Sequence, residues 1–529
     1  MSTINDIMAR VSDDRVVVIG AGFGGLAAAA RLAYAGLRVT VVEAAGAPGG
    51  KARALPGPTG PIDAGPTVLT LRHVFDALFA ELGDDLDARL RLTPARRLAR
   101  HGWEDGSRLD LHADPAESEA AVADFAGPRA AAEFAAFSAR CARLFEAFDA
   151  PFMRAARPTP LSVARALAPS AGRLLRDMAP GRSLASALRG AFSDPRLRQL
   201  FGRYATYVGG SPFRTPAMLM LIWQAEAAGV WRVAGGMHAL AAAMADLAAR
   251  AGAELRYGQA AARIEIAGGR VASVILADGE RLPAGAAVFN GDPEALARGL
   301  LGPLPGLRRR PAARRSLSAD VWAFAARAEG FPLIHHNVLF APSAEAEFGP
   351  LARGRRPAAP TLYICAQDRG DAPLALAGPE RFEIILNAPP VDPHAPPDPQ
   401  EPARCLEILS RRLERWNLSL TPGPGEAAPT TPAGFARRFP GTDGSLYGAS
   451  PHGAAAAFRR PTARTAIPGL YLAGGGTHPG PGAPMATLSG GLAARAVISD
   501  RASTPRFRPA ATPGGISTPS TARPGAPSR

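Results

Sequence analysis

Residues 15–44, "RVVVIGAGFGGLAAAARLAYAGLRVTVVEA", read as a strand, a glycine turn, a helix and a second strand. The unbroken apolar run Val16–Ile19 suits a strand covered on both faces in a parallel sheet. Gly20, Gly22 and Gly25 stand in G-x-G-x-x-G spacing where the strand gives way to the helix. Gly20 permits the tight turn, Gly22 lets backbone approach a pyrophosphate on the helix N-terminus, and Gly25 lets helix and strand pack closely. Glu43 ends the next strand, where a carboxylate can accept hydrogen bonds from an adenosine ribose. Strand, turn, helix, second strand and terminal acid together predict a dinucleotide site.

The residues just downstream narrow the dinucleotide. "APGGKARA" (47–54) puts a second glycine pair and a cation, Gly50 and Lys51, within eight residues of Glu43. That spacing points to FAD, whose body runs past the first turn toward the flavin. Lys51 is the only lysine in an arginine-rich chain, which favours a contact role over an ordinary surface charge. The turn Gly65, Pro66 and Thr67 in "IDAGPTVL" (62–69) is placed to set backbone beside an isoalloxazine ring, with Asp63 and Arg72 as further neighbours. Near the C-terminus "LYLAGGGTHPGPGAPM" (470–485) repeats the strand–glycine–helix pattern, but no ribose-binding acid follows its helix. The expected role is a return of the chain to the first domain, laid against the flavin end. His478 is the one candidate catalytic base; the preferred reading makes it a support for the turn, hydrogen-bonded to backbone.

Composition sets limits. The 529 residues exceed one core, and 47% apolar with 20% charged residues fits a globular protein. Cys141, Cys365 and Cys405 lie far apart without a C-x-x-C pair, against a disulfide framework, a zinc site or a dithiol centre. His335, His336 and His452 lack an evident third convergent ligand, so no metal is expected. The net charge of +14 suits an anionic membrane surface or simple arginine bias, and no nucleic-acid-binding motif accompanies it. No secretory signal is evident, and no run of about twenty apolar residues spans a bilayer. "PAMLMLIWQAEAAGV" (216–230) contains Glu226 and reads as a buried or interfacial helix.

Two kinds of material alternate along the chain. Segments 1–85, 231–300 and 441–501 carry the glycine-rich strand–helix pattern, with a hairpin turn expected at Gly268-Gly269. Segments 86–230, helical in pattern, and 301–440, strand-rich, differ from them, and 502–529 read as a disordered tail. The predicted class is α/β: a Rossmann-like, doubly wound, mostly parallel FAD-binding domain interleaved with an α+β substrate domain. The second domain would face the membrane.

"DAGPTVLTLRHVFDALF", "GGMHALAAAMA", "VFNGDP" and "GLYLAGGGTHPGPGAPMATLSG", in order after the opening stretch, resemble the FAD-dependent carotenoid desaturases related to phytoene desaturase. "RSLSADVWAFAA", "HHNVLFAP" and "TDGSLYGASPHG" are similar to segments of the 1-hydroxycarotenoid 3,4-desaturases. The resemblance implies FAD contacts at Gly20, Gly22, Gly25, Glu43, Gly50, Lys51 and Gly65–Thr67. It further implies a backbone contact with adenine at Ala261, and closure over the flavin by Gly474, Gly475 and Met485. The implied reaction introduces the C3–C4 double bond into an acyclic hydroxycarotenoid, with an unidentified electron acceptor. A multi-step phytoene-type desaturase, a flavin-dependent isomerase and a non-redox carotenoid carrier are the alternatives. A long apolar pocket of roughly 30 Å would be needed. The protein would sit peripherally on the cytoplasmic side of a membrane, with the basic, amphipathic stretch 154–192 as a docking segment.

Overall fold

A computed structural model describes residues 14–307, 314–371, 378–394, 396 and 398–503. The opening stretch forms β1 (Arg15–Ile19), α1 (Phe23–Tyr34) and β2 (Arg38–Glu43). Four later elements join them: α2 (Met237–Arg250), β3 (Glu254–Tyr257), β4 (Ala286–Phe289) and β5 (Leu470–Leu472). The five strands make one sheet in the order β3-β2-β1-β4-β5, parallel throughout.

Successive side chains of a strand point to opposite faces. Val16 and Val18 therefore pack with the helices, and Val17 and Ile19 pack with an antiparallel layer of strands at Ala261–Ala267, Arg270–Leu276 and Arg281–Pro283. Burial on both sides is why β1 is an unbroken apolar run. The hairpin turn falls at Gly268 and Gly269, with φ of 58° and 77°, the left-handed pair that two-residue hairpins need.

A second sheet has seven strands. Its order is Leu418–Thr421, Ser318–Gly330, Glu380–Ala388, Leu362–Ala366, His336–Leu339, Arg97–Gly102 and Arg108–His112. Only the pairing of His336–Leu339 with Arg97–Gly102 is parallel. The helix Glu401–Arg415 covers one face, and helices including Pro128–Phe148 and Pro195–Gly202 cover the other. The strands at 97–112 correct the reading of 86–230 as helical. "RLARHG" looks like surface material, but Arg100 forms a bidentate pair with Asp110 at 2.8 Å and donates to Pro332 O, so its charge is satisfied inside the sheet. The long-range partner strand overrides local propensity there.

The last helix, α3 (Ala483–Ser503), packs along α1. It extends two residues into the segment expected to be tail; residues 504–529 lie outside the described residues. Small residues let the two helices touch. A Cβ on Gly490 would lie 2.1 Å from Gly24 O and 3.0 Å from Ala28 N. Alanine would otherwise favour a helix by about 1 kcal/mol over glycine. Here overpacking reverses the sign, and Gly490→Ala is expected to cost about 1–3 kcal/mol and to loosen the flavin. Thermal unfolding with flavin released as a second signal checks this; an unchanged or higher Tm would contradict it.

Candidate active site

The carboxyl ends of β1, β4 and β5 open onto one cavity of about 820 Å³. Gly20 turns with φ of 100°, and a Cβ on Gly25 would sit 2.0 Å from Gly20 O, so only glycine closes this turn. Gly49 N–H donates to Ala21 O at 2.8 Å, tying the second glycine pair to the first. Glu43 accepts from Ala21 N–H at 2.7 Å and from Ala45 N–H at 2.9 Å, which fixes its carboxylate at the end of β2. Gly20, Gly22, Glu43, Gly50, Lys51, Gly65, Pro66, Thr67, Ala261, Gly474, Gly475 and Met485 all line the cavity. Gly25 stands behind the wall, as its packing role requires.

Asn290, which carried no role in the sequence reading, joins the two glycine turns. Its side-chain amide donates to Gly20 O at 3.1 Å, and a Cβ on Gly24 would meet Asn290 Oδ1 at 2.6 Å and Gly474 N at 2.7 Å. The cavity's polar end holds three further groups. Lys51 donates to Leu446 O at 2.5 Å, and burial lowers its pKa to about 8. Arg460 donates to Gly475 O and Tyr447 O at 3.0 and 3.1 Å, its pKa brought down to about 10 by burial. Asp292 pairs with Arg315. Arg460 had no local signal, because its partners come from two separate turns, at 447–449 and at 475. Gly22 and Gly50 present bare backbone to the cavity, and a Cβ on Gly22 would press within 3.0 Å of Asn290 Nδ2, so glycine cradle and cationic end fit a bound dinucleotide.

Away from the glycine turns the wall becomes apolar, with Phe145, Phe148, Met218, Ile222, Val321 and Ile385 among its residues. Polar groups interrupt it beside the Gly65–Thr67 turn. Thr67 Oγ1 lies 2.6 Å from the Tyr363 hydroxyl, which lies 2.8 Å from His336 Nδ1. Cys365 supplies the third convergent group that the sequence does not announce: ligand atoms of His335, His336 and Cys365 lie within 4.8 Å of one another. Burial brings the His335 pKa down to about 4 and pushes the Cys365 thiol well up, so this trio is a neutral hydrogen-bonded backing for Tyr363.

His478 does not border the cavity. It is buried, donates through Nε2 to Ala155 O at 3.0 Å and meets the Phe152 ring edge-on. Those contacts fasten the turn to the segment at 152–155. His452 Nε2 accepts from Ser211 N–H at 3.0 Å. Asp63 and Arg72 do not line the cavity either: Asp63 accepts from Met237 N–H at the start of α2, and Arg72 pairs with Asp76 and Asp87.

A dinucleotide cradle on a parallel sheet, opening into a largely apolar chamber, defines a flavin-dependent oxidoreductase. The family model described as flavin containing amine oxidoreductase matches residues 23–373. The hydroxyneurosporene desaturase of Cereibacter sphaeroides is 54% identical over 497 residues, 93% of this chain and 99% of its own length. That of Rhodobacter capsulatus is 52% identical over 495 residues, with 93% and 99% covered. A phytoene dehydrogenase of Streptomyces griseus is 35% identical, with 94% and 97% covered. Among solved structures, a putrescine oxidase variant has a TM-score of 0.56 at 15% identity, and cyclohexylamine oxidase from Brevibacterium oxydans has 0.53 at 19%. Each covers 92% of this chain and 99% of its own, and they show the fold. The chain belongs to the flavin-containing amine oxidoreductase family and, within it, to the family of the hydroxyneurosporene desaturases. A flavin carried on a dinucleotide turn is FAD.

Lys51 gives a pH test. Its folded-state pKa is lowered, so the unfolded chain holds the proton more tightly, and the apoprotein gains stability as pH rises from about 8 toward the ordinary lysine range. FAD affinity should run the other way, falling over the same window as the ammonium is lost. Titrating apoprotein with FAD between about pH 7 and pH 9 should reveal the step, and Lys51→Met should abolish it. A step that survives in Lys51→Met would contradict the assignment.

Proposed function

We propose that this protein is an FAD-dependent desaturase that introduces the C3–C4 double bond into acyclic 1-hydroxycarotenoids. Near-full-length identity of 52–54% to two hydroxyneurosporene desaturases carries the reading, and the cavity supports it. In this reading the flavin-binding unit is built from 1–85, 231–300 and 441–501, and the substrate unit from 86–230 and 301–440; the five-stranded parallel sheet draws only on the first set and the seven-stranded sheet only on the second, which supports that division, while a small sheet of Leu69–Thr70, Val230–Val233 and Leu92–Pro94 joins the two. FAD, when bound, supplies the acceptor for the hydride that desaturation removes. The chain's part is to hold the polyene along the apolar wall, keep water out and present C3–C4 to the flavin end. Charge developing beside a polyene is delocalised, so no strong protein base is required, and His478, facing away from the cavity, serves the turn. The holoenzyme supplied with a 1-hydroxycarotenoid should yield a product two hydrogens lighter that absorbs at longer wavelength. A product of unchanged mass would favour an isomerase, and an unchanged chromatogram would overturn the reading.

The substrate class also requires access to a lipid phase. Among the described residues no helix is long and apolar enough to cross a membrane. The short helices Pro160–Leu167 and Ala171–Met178 carry Leu161 and Leu175, 75% and 55% exposed, among the exposed Arg165, Arg173 and Arg176. They follow Phe148–Met153, which borders the cavity, so we place peripheral contact with anionic lipid there. The double change Leu161→Asp, Leu175→Asp should abolish co-flotation with anionic vesicles while flavin content stays unchanged. Undiminished flotation would move the contact elsewhere.

A further inference from the structure

Polar side chains inside an otherwise apolar chamber are costly to bury, so each needs a reason. Three stand together in the cavity wall: Arg203 and Tyr207, on the helical turn Arg203–Val208, and Glu226, on the helix Ile222–Ala227. The Tyr207 hydroxyl donates to a Glu226 oxygen at 2.9 Å. The Arg203 guanidinium lies over the rings of Tyr207 and Tyr363, at 5.8 and 5.5 Å from their centres. Its Nε is buried without a hydrogen-bond partner. Burial raises the Glu226 pKa, against the hydroxyls of Tyr207 and Tyr204 that hydrogen-bond to it and the nearby Arg203 charge.

The position is as informative as the chemistry. Arg203 stacks on Tyr363, and Tyr363 is hydrogen-bonded to Thr67 in the turn assigned to the flavin end. A hydroxyl on C1 is only three bonds from C3, so whatever reads it must stand close to the reacting bond rather than at the far end of the chamber. Resting on the desaturase reading above, we propose that Arg203, Tyr207 and Glu226 form the subsite for the tertiary C1 hydroxyl and so set which bond of the polyene meets the flavin. A tertiary alcohol is both donor and acceptor. Its O–H donates to the Glu226 carboxyl and its oxygen accepts from Arg203, whose Nε the protein leaves without a partner. A polyene ending in plain hydrocarbon would leave the buried Arg203 Nε unanswered, which is how a polar site rejects an analogue lacking the group it binds. The three are positioning residues: they hold the end of the substrate and take no part in hydrogen transfer.

The test compares a 1-hydroxylated acyclic polyene with its counterpart lacking the hydroxyl, on the holoenzyme and on Tyr207→Phe and Glu226→Gln. Two quantities are read: kcat/KM, and binding followed by quenching of protein fluorescence. The unaltered enzyme should favour the hydroxylated polyene in both. Each variant should lower kcat/KM and affinity for that polyene by about tenfold, with values for the other polyene unchanged and flavin absorption intact. Equal losses on both polyenes, or a preference that survives both changes, would overturn the subsite. If the unaltered enzyme converts neither polyene, the desaturase reading is what fails, and the binding comparison still decides the subsite: tighter binding of the hydroxylated polyene that vanishes in both variants supports it, and equal binding overturns it. Should one variant lose its flavin, the other and the comparison on unaltered protein give the same decision.

Discussion

Everything in this molecule depends on a steric constraint at the start of α1, where backbone from distant parts of the chain meets without room for side chains. The Cβ that Gly25 lacks would lie 2.0 Å from Gly20 O, that of Gly24 2.7 Å from Gly474 N, and that of Gly490 2.1 Å from Gly24 O. The first glycine turn, the turn after β5 and the body of α3 thus share one contact, pinned by Asn290. Closeness of this kind aims the N-terminus of α1 into the cavity, where unpaired N–H groups and the helix dipole favour an anionic ligand. It also explains why a C-terminal segment returns across more than four hundred residues to complete a site begun at Gly20.

The wall of the chamber divides by the same logic of satisfied and unsatisfied groups. At the dinucleotide end, Lys51, Arg315 and Arg460 are each bonded to backbone carbonyls. Away from that end, apolar side chains predominate, and polar groups behind them form pairs such as Thr67 with Tyr363 and Tyr363 with His336 Nδ1. Buried imidazoles held neutral this way leave little charge near a hydrocarbon substrate. Arg203 Nε and His336 Nε2 are among the buried atoms left without a partner.

How much of this was legible in the sequence follows from the range of the forces involved. The βαβ unit was readable because its signals are local: a valine run, three spaced glycines and an acid at a strand end. The Gly268-Gly269 hairpin was readable for the same reason. The strands at 97–112 were not, since their hairpin joins a sheet only by pairing with 336–339, over two hundred residues away, and Arg100 and His101 carry no apolar strand pattern of their own. Asn290 lies in "VFNGDP", where nothing in its neighbours announces contact with Gly20 and Gly474. Glu226 was seen to interrupt an apolar helix, but its partners Tyr207 and Arg203 become visible only in three dimensions. His478 reads from its turn as a support hydrogen-bonded to backbone rather than a base, and its ring points at Ala155 O.

The central claim is that one cavity brings a hydroxylated polyene to a flavin that oxidises it. Anaerobic mixing of the flavin-loaded protein with a 1-hydroxycarotenoid, followed by absorbance, tests it most directly. Flavin bleaching in step with a new, longer-wavelength polyene spectrum, one equivalent for one, is the predicted result. A polyene that changes its spectrum while the flavin stays oxidised, or a flavin that never responds to bound polyene, would contradict it.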